Sequence, residues 1–149
     1  MALEYRLTLG GDTPPEQIAG RALPVTAVAD PEIAPVLWAD MIDSHGFSVT
    51  IRAGKHGYVE AESDRDLFEW EPESYVSVGF RFNKEADREW AVVNMLTVVW
   101  RALQTGSEDA ALVLNGDLLV LTRFAGILVK HHRDGWWSSY PAANAVFPD

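Results

Sequence analysis

Cysteine is absent from the 149 residues, which excludes together a disulfide framework, a thiolate-bound zinc, an iron–sulfur cluster and a thiol nucleophile. No apolar run approaches the roughly 20 residues of a membrane-spanning helix, and the opening MALEYRLTLG sets Glu4 and Arg6 where a secretory leader carries its apolar stretch. The chain therefore reads as a cytoplasmic protein. Basic residues are also scarce: 12 Lys and Arg against 22 Asp and Glu leave a formal charge of −10, which disfavours nucleic acid and anionic membranes and favours a basic macromolecular partner. Catalytic motifs are missing as well. There is no G-x-S-x-G elbow, and Gly10-Gly11 and Gly54-Lys-His-Gly57 lack phosphate-loop spacing. Of the four histidines, His45 and His56 fall in turns, while His131 and His132 are neighbours on a strand and so point to opposite faces. No catalytic residue, metal ligand or cofactor is assigned, and the protein is read as not an enzyme.

The length suits one domain, residues 1–149, able to bury about 68–70% of its unfolded surface without a covalent or metal staple. Its organising element is Lys84–Gln104, where apolar residues recur at helical spacing over a span of roughly 31 Å. Asn83 is placed to cap this helix and Gly106 to end it. Val92, Val93, Met95, Leu96, Val98, Val99, Trp100 and Leu103 leave only a narrow polar stripe, so the helix belongs deep against a sheet.

Period-two alternation marks the strands. Leu3, Tyr5, Leu7 and Leu9 form the inner side of the first, and Val76, Val78, Phe80 and Phe82 that of the strand feeding the long helix. Thr13-Pro-Pro-Glu16 has the pattern of a capping box and starts a short helix to about Ala22. Val36–Asp43 is read as a strand, with Ser44-His-Gly46 as a hairpin loop. Residues 47–53 are read as the first arm of a second hairpin, turned at Gly54–Gly57 into Tyr58 onwards. Asn115-Gly116 joins two apolar runs, Ala110–Leu114 and Leu118–Phe124, as a type I′ turn requires. The result is an α+β fold: an antiparallel-rich sheet of six or seven strands, with a short N-terminal helix and one long central helix on one face.

The unusual segment runs from Glu60 to Glu73, where seven carboxylates accompany one arginine. Glu60, Glu62, Asp64 and Asp66 lie two apart, so an extended backbone stacks them on one face about 6.6 Å from one to the next. With Glu71 they also mimic a calcium loop, but Arg65 stands where its sharp turn requires glycine. Trp70, among these charges, is either an exposed partner anchor or a lid on a sheet edge. The candidate partner-binding set is therefore Glu60, Glu62, Asp64, Asp66, Trp70 and Glu71, weighed against an edge that carries like charges merely to prevent strand pairing.

MALEYRLTL, WEPESYVSVGFRFNKEADREWA, DAALVLNGDLLVLTR and the later Trp136-Trp137 together resemble the Sit-type immunity-protein family, associated with toxins that myxobacteria pass between cells by outer-membrane exchange. The resemblance implies a small cytoplasmic protein that binds and neutralises a cognate toxin, and the chain is read as a monomer or weak dimer. Residues 23–73 show none of the family pattern, so the acidic segment is not carried over as a family site. The other reading is a small-ligand binding module with a pocket between sheet and helices, lined by Trp38, Trp90 or Trp136.

Overall fold

The computed structural model describes residues 3–33 and 35–149. Ten strands form one sheet: β1 (Glu4–Gly10), β2 (Val28–Ala29), β3 (Leu37–Met41), β4 (Phe47–Lys55), β5 (Val59–Glu62), β6 (Leu67–Trp70), β7 (Ser74–Phe82), β8 (Ala110–Leu114), β9 (Leu118–Phe124) and β10 (Ile127–Lys130). Their order is β2-β3-β4-β7-β1-β8-β9-β5-β6, with β10 also on β9. Every pairing is antiparallel except a single parallel contact of β5 with β9. The count exceeds the expected six or seven chiefly through two strands. β2 is only two residues long, inside a proline-rich stretch, and β6 lies within the acidic segment Glu60–Glu73, whose charges suit an exposed connection.

The helices are α1 (Pro15–Ala22), the single turn α2 (Ile42–His45), α3 (Arg88–Gln104) and α4 (Ala143–Val146). The inner residues of β1, β4 and β7 share one core with Ile18 and Ala22 of α1 and Val92, Leu96, Val99 and Leu103 of α3. Alternation thus delivers the strand faces as read. The start of α3 does not follow the sequence reading. Asn83 accepts only from the Glu85 amide at 3.3 Å, and the helix begins four residues later than read, where Asp87 caps it by accepting from the Trp90 amide at 2.9 Å. Its C-terminus is closed by cations: Arg21 donates to the Ala102 carbonyl at 3.1 Å and Arg123 to that of Leu103 at 2.5 Å, where the helix dipole is negative.

The capping box at Thr13 does not form. No side chain caps α1, and the Thr13 hydroxyl instead donates to Glu108 at 2.7 Å. Arg21 donates to the same carboxylate at 2.7 Å. Burial alone would raise the Glu108 pKa, but the bonds from Arg21 and Thr13 outweigh it and leave it below its usual value.

The expected hairpin loop at Ser44-His-Gly46 is the α2 turn, closed by Gly46 in the left-handed region at φ 96°. That turn does join the antiparallel β3 and β4, but the expected turn at Gly54–Gly57 is not a turn. β4 with β5 is one arm, and β6 with β7 the other, of a single long hairpin whose register never slips. Phe47 pairs with Phe82 at its base, Lys55 with Ser74, Val59 with Trp70, and Glu62 with Leu67 at its tip. The amides of His56 and Gly57 donate to the carbonyls of Glu73 and Pro72 at 2.6 and 2.8 Å, so the ladder continues between the named strands. Both arms bend at the rung His56–Glu73, where His56 takes φ 54°.

Beyond the bend the hairpin folds over the sheet face that lies away from the helices. Register sets Arg6 beside Val113 and Thr8 beside Ala111, so Ala111 and Val113 face opposite to Tyr5, Leu7 and Leu9. Ala61, Val59, Phe68 and Trp70 pack on Ala111, Val113 and Leu119 to make a second, smaller core. A bulge in β9 accommodates both layers: Leu112 pairs with Leu121 but Val113 with Leu119, leaving Val120 as the extra residue. Hence β8 and β9 are apolar on both faces, as read. Asn115 and Gly116 take φ 51° and 75°, the positive values that the turn between them demands.

Trp136 and Trp137 are both buried. They sit in a helical turn, and their indoles donate to the Tyr5 hydroxyl at 3.0 Å and the Val120 carbonyl at 3.1 Å.

Candidate partner-binding hairpin and the cleft beside it

The distal hairpin presents its acidic side outward. Glu60 and Glu62 of β5 and Glu69 of β6 are exposed, as is Glu71 just beyond. Glu60 and Glu69 lie directly opposite each other, which alone would be repulsive. Tyr58 relieves this by donating to Glu60 at 2.8 Å, with Glu69 at 3.2 Å. The bond to Glu60 raises the phenol pKa above its usual value, and the two carboxylate charges add to the effect.

The four-rung ladder Glu60–Asp66 does not form as one straight row, because the chain reverses between Ser63 and Asp66. Asp66 receives the Ser63 hydroxyl at 3.1 Å. Asp64 turns back to accept from the His132 amide at 2.8 Å and lies 3.9 and 4.0 Å from Nδ1 of His131 and His132. The two histidines, expected on opposite faces, meet one carboxylate because the strand has ended and His132 takes φ 58°. The Glu62 carbonyl can only accept, so His132 Nε2 donates to it at 2.8 Å. Burial lowers the His131 pKa, against the opposing pull of Asp64. Together these contacts latch the hairpin tip to the end of β10. Among the described residues no group of three or more His, Asp or Glu is arranged to hold a metal ion.

Trp70 is half-buried, edge-on to Phe124 at 5.1 Å between ring centres. A Cβ on Gly10 would lie 2.9 Å from its ring, so the glycine makes room for it. Trp70 packs against the second core as a lid would.

Trp38, Trp90 and Trp136, each named as able to line a pocket between sheet and helices, lie in different places. Trp136 is in the main core and Trp90 lies on the exposed side of α3. A cleft of about 770 Å³ instead opens on the other face of the sheet, under the overhang of the hairpin, with Trp38, Arg6, Arg52, Arg81 and Tyr58 in its lining. The alternation that turns Tyr5, Leu7 and Phe80 inward places Arg6 and Arg81 outward. What it could not supply was the bend that roofs them.

A profile of the SitI3-like family matches residues 3–141, nearly the whole chain. The chain belongs to the SitI3-like family. No curated protein and no solved structure matches it. The match spans the bent hairpin, so the segment of this SitI3-like protein in which no family pattern was legible lies inside the family region. Among its described residues no helix is long and apolar enough to cross a membrane.

Proposed function

We propose that this SitI3-like chain is a non-catalytic immunity protein that acts in the cytoplasm by binding a cognate toxin directly. Its distal hairpin supplies the attraction to a basic toxin surface. Family membership supports the class. The observation that carries the choice of surface is that Glu60, Glu62, Glu69 and Glu71 are exposed on neighbouring strands, with no ion pair to any basic side chain among the described residues. Such rim charges mainly speed encounter, whereas buried anchors mainly slow dissociation. Asp64 and Asp66, bound within the tip, contribute field rather than contacts. Trp70 acts by holding the hairpin in place. The competing role for the same charges is protection of the exposed edge strand β6.

The test is association with the toxin encoded beside this gene, followed by stopped flow at two salt concentrations. Changing Glu60, Glu62 and Glu69 to Lys is expected to slow association by about tenfold or more at low salt and to flatten its salt dependence. Unchanged association would reduce the hairpin face to edge protection. Trp70→Ala, by contrast, is expected to lower the melting temperature as well as weaken binding, because the side chain fills the second core.

A further inference from the structure

The face under the overhang carries chemistry that toxin attraction does not use. Register lays it out in cross-strand rows. Arg6, Gly79, Thr50 and Trp38 lie side by side on β1, β7, β4 and β3, and the next row holds Thr8, Ser77 and Arg52. Gly79 leaves a dip in the floor between Arg6 and Thr50, since a Cβ there would sit 3.0 Å from the Thr50 hydroxyl. Arg6 and Arg52 are two strands apart and offset by one pair of residues, about 12 Å between Cα atoms. Two arginine side chains can close that span from either side onto one group.

The carboxylates around the cleft are already engaged. Glu4 lies 3.9 Å from Arg81, Asp30 accepts from the amides of Glu32 and Ile33 at 2.8 and 3.1 Å, and Glu60 accepts from Tyr58. By contrast, Arg6 and Arg52 form no ion pair among the described residues. The hydroxyls of Thr8 and Ser77, only 5% and 7% exposed, make no hydrogen bond to the protein among the described residues either, and both line the cleft. In a chain of charge −10, the three arginines of the lining balance its three carboxylates, Glu4, Asp30 and Glu60, and leave two guanidiniums uncommitted beside the hydroxyls of Thr8 and Ser77. A concave setting strengthens their local field. Guanidinium forks bind carboxylate and phosphate with two parallel bonds, and about 770 Å³ is the size of a small-molecule site.

We infer that this cleft binds a small aromatic anion. Its carboxylate or phosphate is clasped by Arg6 and Arg52 above Gly79 and Ser77, and its ring lies toward Trp38. The inference does not depend on the toxin reading, and the residues it names are not those of the acidic hairpin face.

The experiment titrates the full chain with indole-3-carboxylate and phenyl phosphate, with benzamide as the uncharged aromatic and inorganic phosphate as the anion without a ring, followed by amide chemical shifts. Both aromatic anions are expected to bind below about 10 mM and to shift Thr50, Ser77 and Gly79. The tighter of the two identifies the preferred group. Benzamide and inorganic phosphate are expected to bind at least about tenfold more weakly. Arg6→Gln and Arg52→Gln are each expected to cost about tenfold in affinity at an unchanged melting temperature, since both side chains are exposed. Gly79→Ala, which fills the dip, is expected to weaken binding too. Failure of both aromatic anions to bind at 10 mM, equal binding of benzamide, or equal affinity in the Arg6→Gln, Arg52→Gln double variant would overturn the inference.

Discussion

Glu108 shows how one side chain ties three elements together. It receives Thr13 before α1 and Arg21 within α1, and Arg21 in turn caps the end of α3. Because its folded pKa is lowered, the unfolded chain binds its proton at higher pH than the native one. The stability it contributes is present above its ordinary value of 4.5 and is lost as pH falls through the lower folded value. Glu108→Gln is therefore expected to be less stable than the parent at pH 7, with the difference shrinking below about pH 4.5. Urea midpoints measured across pH 3–7 check this, and parallel curves for the two proteins would contradict it. None of this was legible from local spacing: Thr13 and Glu16 fit a capping box, and the competing acceptor, Glu108, lies 95 residues away. Likewise Asn83 and Asp87 both suit an N-cap, and only packing of the helix decides between them. The alternating core residues were legible because burial on one face of a strand needs no partner to be named.

Among the elements, the strand before α3 was read correctly in its buried face, and so was α3 except at Trp100, which is exposed, and Val93, which is half-buried. Leu96 is fully buried in the core that holds Val78 and Phe80, so Leu96→Ala is expected to cost on the order of 2–5 kcal/mol. A urea midpoint within error of the parent would contradict that placement. The long hairpin was the element least legible. Its bend at His56 and Glu73 has the glycines and prolines of a turn, and its charges disguise β6 as a connection. A signal was nevertheless present: Phe68 and Trp70 alternate with Glu69 and Glu71, the same period-two pattern that identified the other strands. Weighting that alternation above the charge would have added β6, though not the two-residue β2. The spacing of the acidic residues was read on one straight strand, whereas the exposed row joins Glu60 and Glu62 to Glu69 across a hairpin.

At the scale of the molecule, the sheet carries two cores of unequal size on its two faces. The larger joins both main helices to the central strands, and the smaller holds down only the distal hairpin. The tip is further secured by Asp64 against His132. Asp64→Ala is thus expected to raise amide exchange about tenfold in residues 57–72 while leaving β1 and β7 unchanged, because sub-global opening follows local contacts. Measured by hydrogen exchange, an equal rise in both regions would show that the hairpin and sheet open as one unit.

The unbroken register of that hairpin has a consequence for how such a surface can change over generations. Two residues added to each arm at the tip, beyond Glu62 and Leu67, would lengthen the ribbon by about 6.8 Å and return every new side chain to its proper face. The rungs below would keep their partners, from Val59 and Trp70 down to Phe47 and Phe82. Insertions in steps of two rungs would thereby give new reach and new surface chemistry, at the cost of the Asp64 latch alone. On the proposed reading, the hairpin tip is where recognition would diversify while the foundation stays fixed.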